Sequence, residues 1–301
     1  MPGVIHMKKW DKIIVVTLLI PLVAFTIYLV EAAYDVCSPK KPVLIPDAVV
    51  QERHRRETTF ATQGNIEIQV KPVALEEIVS ETTNFSQINI NTNETRRDFT
   101  VDLFKEAGYA PVITDTGSVL AVKEGLTQDF VAVGAHYDKV DGPSEGILDN
   151  MLGCILVSNI AEAMKTESTE YTYVFLTYGD EEIGRKIGSA TSGYRSNGTE
   201  RPTYVIEIDY VGDNSAELGG RWLGPLAGRF QKTGIKINTS PMPDPPTIHT
   251  ARDNISNVDF DKALLAYKTV ISLIEGIEKG DGLIPPKTVN FWRKDQPLFG
   301  E

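Results

Sequence analysis

The chain has 301 residues, and its 30 lysines and arginines against 41 aspartates and glutamates give a formal charge of −11. That balance, with no long basic run after residue 60, argues against a nucleic-acid partner. Two cysteines, Cys37 and Cys154, are too few for a disulfide framework or a cysteine-ligated metal, and leave one bridge between them as an open alternative. The length accommodates one large globular domain with an appendage, or two modest domains.

Residues 13–30, IIVVTLLIPLVAFTIYLV, carry no charge, and Lys8, Lys9 and Lys12 precede them. The run reaches the lower limit for spanning a bilayer and exceeds the core of an ordinary signal peptide. Basic residues on its amino side predict that this side stays cytoplasmic, so that everything after residue 31 faces outward. The expected organisation is a cytoplasmic amino end (1–12), a single-pass transmembrane anchor (13–30) and a juxtamembrane linker (31–60), followed by a globular domain (61–280) and a carboxyl tail (281–301). The competing reading is a cleaved signal peptide, with Ala32 and Ala33 as the small-residue site and a secreted product. Five Asn-X-Ser/Thr triplets, at Asn84, Asn93, Asn197, Asn238 and Asn254, are glycosylation acceptors only if the chain is outside.

Two helices are expected at about 73–82 and 94–107, the second introduced by Asn93 or Thr95 and stopped by Gly108. A hairpin follows, with Pro111–Thr114 and Val119–Val122 joined through Asp115, Thr116 and Gly117. The region from 35 to 130 reads as scaffold without chemistry. From 128 onward strands and helices alternate: strand 128–135, helix 150–165, strand 171–178, a helix from about 183 and strand 203–209. A Gly-rich loop, a segment near 224–232 and a last amphipathic helix at about 258–278 complete the order. Such alternation predicts an α/β three-layer sandwich, a mostly parallel mixed sheet with helices on both faces.

Each strand ends in acid or histidine. VAVGAHYDKVDGPSEGILD (131–149) delivers His136, Tyr137 and Asp138 at a strand end and Asp149 at the head of a helix. The next strand ends in Gly179-Asp180-Glu181-Glu182, the third in Glu207-Ile208-Asp209, and a later loop carries Ile248-His249-Thr250. Glu207 and Asp209 on one β-rich run would face the same side, which is odd for any core; one is expected to be capped by a backbone N–H and the other functional. Taken singly, His136 reads as a polar residue at a sheet end, Asp149 as a helix N-cap, and Glu181 and Glu182 as a solvated first turn. Taken together, His136, Asp149, Glu182, Asp209 and His249 would suit two zinc ions about 3.5–4 Å apart that share a carboxylate. Asp141, Glu145, Asp180 and Asp253 read as acids of the surface or supporting the site.

The succession His136-Tyr137-Asp138, Asp149-Asn150, Glu181-Glu182-Ile183-Gly184 with Gly188-Ser189 and Tyr194, Ile208-Asp209 with Gly212, and Ile248-His249-Thr250 with Asp253 resembles the motifs of the di-zinc aminopeptidase family. That family includes secreted leucyl aminopeptidases, glutamate carboxypeptidase II, glutaminyl cyclases and the transferrin receptor ectodomain. The resemblance covers about residues 95–278, in family order. It implies that Asp149 bridges two zinc ions, with His136 and Asp209 completing one position and Glu182 and His249 the other. It implies Glu181 as the general base and Asp138 as the acceptor of the other imidazole N–H of His136.

The activity so implied is that of a zinc aminopeptidase acting on peptides and held at the membrane by its amino-terminal helix. The chain departs from the pattern between Asp209 and His249, which are only 40 residues apart. The substrate-pocket segment with Ser-Asp-His is absent, and Gly234-Ile235-Lys236-Ile237 with the proline-rich 241–246 stands where Gly-Ile-Pro-Ala is usual. Two alternatives therefore stand beside the enzyme: a catalytically inactive ectodomain used for binding, and a glutaminyl-cyclase-like acyltransferase with one zinc.

Overall fold

Two runs of the sequence are apolar enough to be buried on both faces, and they form the centre of the sheet. FVAVGAH is strand β3 (Phe130–His136) and TYVFLTY is strand β4 (Thr172–Tyr178), and every residue of both is buried. They pair in parallel, as continuous apolar strands do when both faces are covered. The remaining strands are β1 (Val112–Ile113), β2 (Val119–Lys123), β5 (Tyr204–Ile208), β6 (Leu218–Arg221), β7 (Gly234–Thr239) and β8 (Asn290–Trp292). The computed structural model describes residues 73–88, 92–182, 202–215, 217–221, 234–239, 247–283 and 290–292.

The order across the sheet is β1-β2-β4-β3-β5-β7-β6-β8. Strands β4, β3, β5 and β7 are mutually parallel, β2 runs antiparallel to β4, and β6 antiparallel to β7. The chain passes from β3 to β4 on one side and then returns to β5 on the other. This reversal leaves a crevice at the carboxyl ends of β3 and β5, where open α/β sheets bind ligands. Strands β6 and β8 were not expected: Leu218–Arg221 falls in the stretch read as a Gly-rich loop, and Asn290–Trp292 pairs with it in parallel. Glycines 219 and 220 mask the β signal of β6, and its pairing is imposed by β7.

Among the described residues the α-helices are α1 (Leu75–Gln87), α2 (Asn93–Glu106), α3 (Leu152–Met164) and α4 (Phe260–Glu278). Helix α2 is capped by Thr92, whose hydroxyl accepts from Thr95 N at 3.2 Å, and not by Asn93 or Thr95. Helix α4 is capped by Asp259, which accepts from Lys262 N at 3.1 Å, and buries Ala263, Ala266, Val270, Leu273 and Ile277 at helical spacing. Helix α3 is apolar almost all round because it lies between the sheet and the other helices. Burial of each of Ile155, Leu156 and Ile160 contributes about 1.5–3 kcal/mol. Among the described residues Ile147–Met164 is long and apolar enough to cross a membrane, and its burial makes it a core helix.

All four helices share one apolar cluster with the face of the sheet that carries Val131, Val133, Phe175 and Ile206. The opposite face holds a second buried cluster around Ala132, Val174, Leu176 and Val205. The helices expected from 183 and near 224–232 lie outside the described residues, as do residues 1–72 with the span at 13–30 and Cys37. What is described is a mixed α/β sheet with helices, and Cys154 is a free, buried thiol in it.

Candidate metal centre

Four segments converge at the carboxyl ends of β3, β4 and β5. His136 is the last residue of β3, in register with Tyr178 of β4, and it is buried. Asp149 follows a loop and lies in an irregular turn, Ile147–Met151, with φ −128° and ψ 81°. It is therefore not the helix N-cap that its position suggests; regular α-helix begins at Leu152. Glu181 and Glu182 follow β4 after Asp180, whose φ of +66° turns the chain back over the sheet. Asp209 stands one residue beyond β5, its N–H bonded to Ile237 O at 3.0 Å. His249 comes from a turn after residue 247, with φ +58° and a side chain 45 % exposed.

The five expected metal ligands are brought together. His136 Nε2 lies 3.1 Å from Asp149 Oδ1 and 3.3 Å from Asp209 Oδ1. His249 Nε2 lies 3.1 Å from Asp149 Oδ2 and 3.0 Å from Glu182 Oε2. Asp149 thus gives one oxygen to each imidazole. A single N–H cannot point along two hydrogen bonds at once, yet each imidazole nitrogen faces two carboxylates. Glu182 Oε1 is buried and accepts no hydrogen bond from any described residue. Donor atoms of His136, Asp149 and Asp209 all lie within 4.8 Å of one another, as do those of Asp149, Glu182 and His249. Nitrogen and carboxylate donors in threes, the first trio buried and the second opening to solvent at His249, fit a zinc-like cation. Glu181 also comes within 4.8 Å of donor atoms of His136 and Glu182. On the far side of His136, Nδ1 faces the Asp138 carbonyl oxygen at 3.2 Å and its carboxylate at 3.4 Å, while Asp138 Oδ2 accepts from Glu182 N at 3.1 Å.

The crowding of acids sets the protonation states. Burial pushes Glu182 up to about 8, with the Asp149 charge adding to the effect and the imidazoles opposing it. Glu181 is likewise raised, first by burial, while His136 and Lys236 pull the other way. Burial works against a charged His136, but its hydrogen bonds to Asp138, Asp149 and Asp209 outweigh that and hold it well above the usual imidazole range. His249 rises to about 9, chiefly through its hydrogen bond to Asp149. Asp209 would be raised by burial, yet Lys236 and His136 together keep it below the ordinary carboxylate range.

Further residues hold this geometry, and Arg96, Gly146 and Gly153 among them carry no motif. Arg96 of α2 is fully buried, and its Nε, Nη1 and Nη2 donate to the carbonyls of Tyr137, Glu145 (2.9 Å) and Gly146 (2.6 Å). It braces both ends of the loop between His136 and Asp149, in a region that reads as scaffold in the sequence. Gly146 is obligatory beneath it, because its φ is +64° and a Cβ there would lie 2.8 Å from Nη2. Asn150 donates to Ile208 O at 2.8 Å and accepts from Tyr210 N at 3.3 Å, tying the Asp149 turn to the end of β5. Gly153 makes room for it, since a Cβ would sit 2.3 Å from Asn150 Oδ1. Asp253 is fully buried and not a surface acid; it accepts from Ser144 Oγ at 2.7 Å and Leu148 N at 2.6 Å. That joins the His249 segment to the Asp149 loop. Tyr210 and Asp213, just beyond β5, form a tight hydroxyl–carboxylate cluster with Thr247 of the His249 segment. Glu207 accepts from Tyr178 Oη at 3.0 Å, while Lys236 Nζ pairs with Asp209 Oδ2.

Residues 118–219 match the model of Peptidase family M28, a stretch that includes His136, Asp149, Glu181, Glu182 and Asp209 and stops short of His249. No curated protein matches the chain. Among solved structures, a leucine aminopeptidase precursor from Bacteroides thetaiotaomicron is 14 % identical, with 69 % of this chain and 99 % of that chain covered at a TM-score of 0.55. A glutaminyl cyclase from Fimbriiglobus ruber is 11 % identical, with 71 % and 99 % covered and a TM-score of 0.56. An aminopeptidase from Aneurinibacillus sp. strain AM-1 is 18 % identical at a TM-score of 0.45, and 57 % of this chain spans 49 % of its length. At these identities the two full-length likenesses establish a shared fold.

Proposed function

We propose that the chain is a zinc-dependent exopeptidase that removes residues from the free amino end of peptides. The observation that carries the reading is the sharing of Asp149 by two imidazoles, each of which also meets a second carboxylate, from Asp209 or Glu182. The match to Peptidase family M28 over these strands supports it. The donors form two trios, His136–Asp149–Asp209 and Asp149–Glu182–His249, so that up to two ions can be held. Zinc, when bound, supplies Lewis-acid polarisation of a carbonyl and raises the acidity of water. Glu181 is the general base: partial burial keeps its carboxylate basic, and it takes the proton of the attacking water and returns it to the leaving amine. Asp138 fixes the ring of His136 through Nδ1. The acids around the site favour a substrate's free α-ammonium group, which makes an amino-end exopeptidase the natural assignment.

The uncharged run at 13–30, with its lysines on the amino side, supports a single-pass anchor that places this site outside the cytoplasm. A second reading, cyclisation of an amino-terminal glutaminyl residue with loss of ammonia, is supported by the fold shared with the Fimbriiglobus ruber glutaminyl cyclase and by the hold of Lys236 on one trio. The purified chain is to be assayed with aminoacyl-nitroanilides and with a glutaminyl peptide. Nitroaniline release supports the exopeptidase, and ammonia release without it supports the cyclase. Glu181→Gln should abolish turnover and leave the zinc content unchanged. An absence of zinc after reconstitution ends both readings.

A further inference from the structure

Lys236 sits where a carboxylate-lined metal pocket would not be expected to hold a lysine. Strand β7 places it: Ile235 and Ile237 point into the apolar core beneath the helices, so Lys236 faces the other side of the sheet. On that side its neighbour across the β5–β7 ladder is Glu207, and Asp209 lies one step further along β5. The ammonium pairs with Asp209 Oδ2, leaving Oδ1 to face His136 Nε2 at 3.3 Å. Its side chain is 15 % exposed, and Glu207 and Glu181 also act on its charge. To leave Asp209 it would have to withdraw from three carboxylates.

The two trios are therefore unlike. Asp149, Glu182 and His249 are paired with no lysine or arginine among the described residues, and Glu182 Oε1 is still without a hydrogen bond there. In the other trio Asp209 already shares its charge with a fixed cation, only the width of one carboxylate away from the position an ion would take. Like charges so placed repel, and a neutralised carboxylate is a poorer donor.

Resting on the zinc reading of the site, we propose that Lys236 is a built-in cation that replaces one metal: zinc binds tightly to Asp149, Glu182 and His249, and no second ion binds with comparable affinity to His136, Asp149 and Asp209. The chain would then carry out its chemistry with one tightly held ion, the lysine balancing the charge of Asp209.

The test counts metal and does not depend on turnover. The full chain, kept in solution with detergent, is stripped with a chelator and titrated with zinc, with bound zinc measured by elemental analysis and calorimetry. The expected result is one tight site, with any second at least about 100-fold weaker. Lys236→Met should strengthen the second site by at least about tenfold, and Lys236→Arg should not. Two zinc ions bound by the wild type with dissociation constants within about tenfold overturn the proposal, as does Lys236→Met with the second site unchanged. Thermal melting establishes that the variants fold. Should Lys236→Met not fold, Asp209→Asn serves: the tight site should keep its affinity, and its loss would show that the tight ion uses Asp209. A wild type that binds no zinc at all removes the metal reading itself, an outcome distinct from two equal sites.

Discussion

Arg96 offers the sharpest test of how the site is held. Its guanidinium is buried and donates to three backbone carbonyls, those of Tyr137, Glu145 and Gly146, and it also lies 5.2 Å from the Phe85 ring centroid. Hydrogen bonds from a charged donor contribute about 1.5–3 kcal/mol each, and a buried carbonyl left unpaired costs about 1–3 kcal/mol. Against this stands the cost of burying the charge, which is what depresses the Arg96 pKa. With that offset, Arg96→Met should lower the unfolding free energy by about 3–5 kcal/mol. Arg96→Lys keeps the charge but has no fork with which to reach three separated oxygens, so about 2–3 kcal/mol should be lost. Both are measured by urea unfolding followed by circular dichroism, with the m-value checked for a change in the unfolded state. Since the braced loop begins after His136 and ends before Asp149, Arg96→Lys should also weaken zinc binding by about 10–100-fold, read by competition with a chromogenic chelator. The reasoning is refuted if Arg96→Lys loses stability while its zinc dissociation constant stays at the wild-type value. The loop would then keep its shape without the arginine.

Asp253→Ala should cost about 2–4 kcal/mol, because Ser144 Oγ and Leu148 N are left as buried donors without an acceptor. Denaturant unfolding checks the loss, and an unchanged midpoint would show that water replaces the carboxylate. Glu81 of α1 gives a pH signature far from the metal centre. Burial raises it from the ordinary 4.5 to about 7, although Asn159 donates to it at 2.6 Å. A carboxyl whose folded pKa is raised contributes stability in full below the unfolded value and loses it as pH rises through the folded one. Wild-type stability should therefore decline between about pH 4.5 and 7 from this group, by at most about 3 kcal/mol, and Glu81→Gln should remove that slope and be the more stable at pH 8. Equal pH profiles for the two proteins would show that Glu81 is solvated.

The parts of this fold that could be read in the sequence are those whose signal is local. Strands β3, β4 and β5 announced themselves by apolar β-rich runs, and α4 by its apolar spacing, each within a few residues of the observed bounds. Strand β6 did not, because Gly219 and Gly220 carry no β preference and the pairing with β7 and β8 alone extends the strand. An acid before an apolar run is the ordinary cap signal, so the sequence predicts a helix start at Asp149; the observed turn instead directs the carboxylate to two imidazoles. The five candidate ligands were legible for a different reason. Both histidines of the globular part and three acids, Asp149, Glu182 and Asp209, stand at strand ends or in the loops that meet them, and a parallel sheet brings its carboxyl ends to one side.

What the sequence hid is the positive charge that the acids require. Arg96 and Lys236 sit 140 residues apart, neither belongs to a motif, and neither is distinguishable by local pattern from a lysine or arginine at the surface. Arg96 acts on carbonyl oxygens, which every residue has, so no partner in the sequence points to it. Lys236 is placed by the register of β7 against β5, and a shift of one residue would turn it into the helix-covered core and bring an isoleucine to Asp209. A buried cluster of Asp138, Asp149, Glu181, Glu182 and Asp209 is stable only if cations face it, whether ions, imidazolium groups or basic side chains. Counting acids at strand ends predicts that such cations exist; only the packing of a helix behind one loop and the register of one strand pair decide which residues they are.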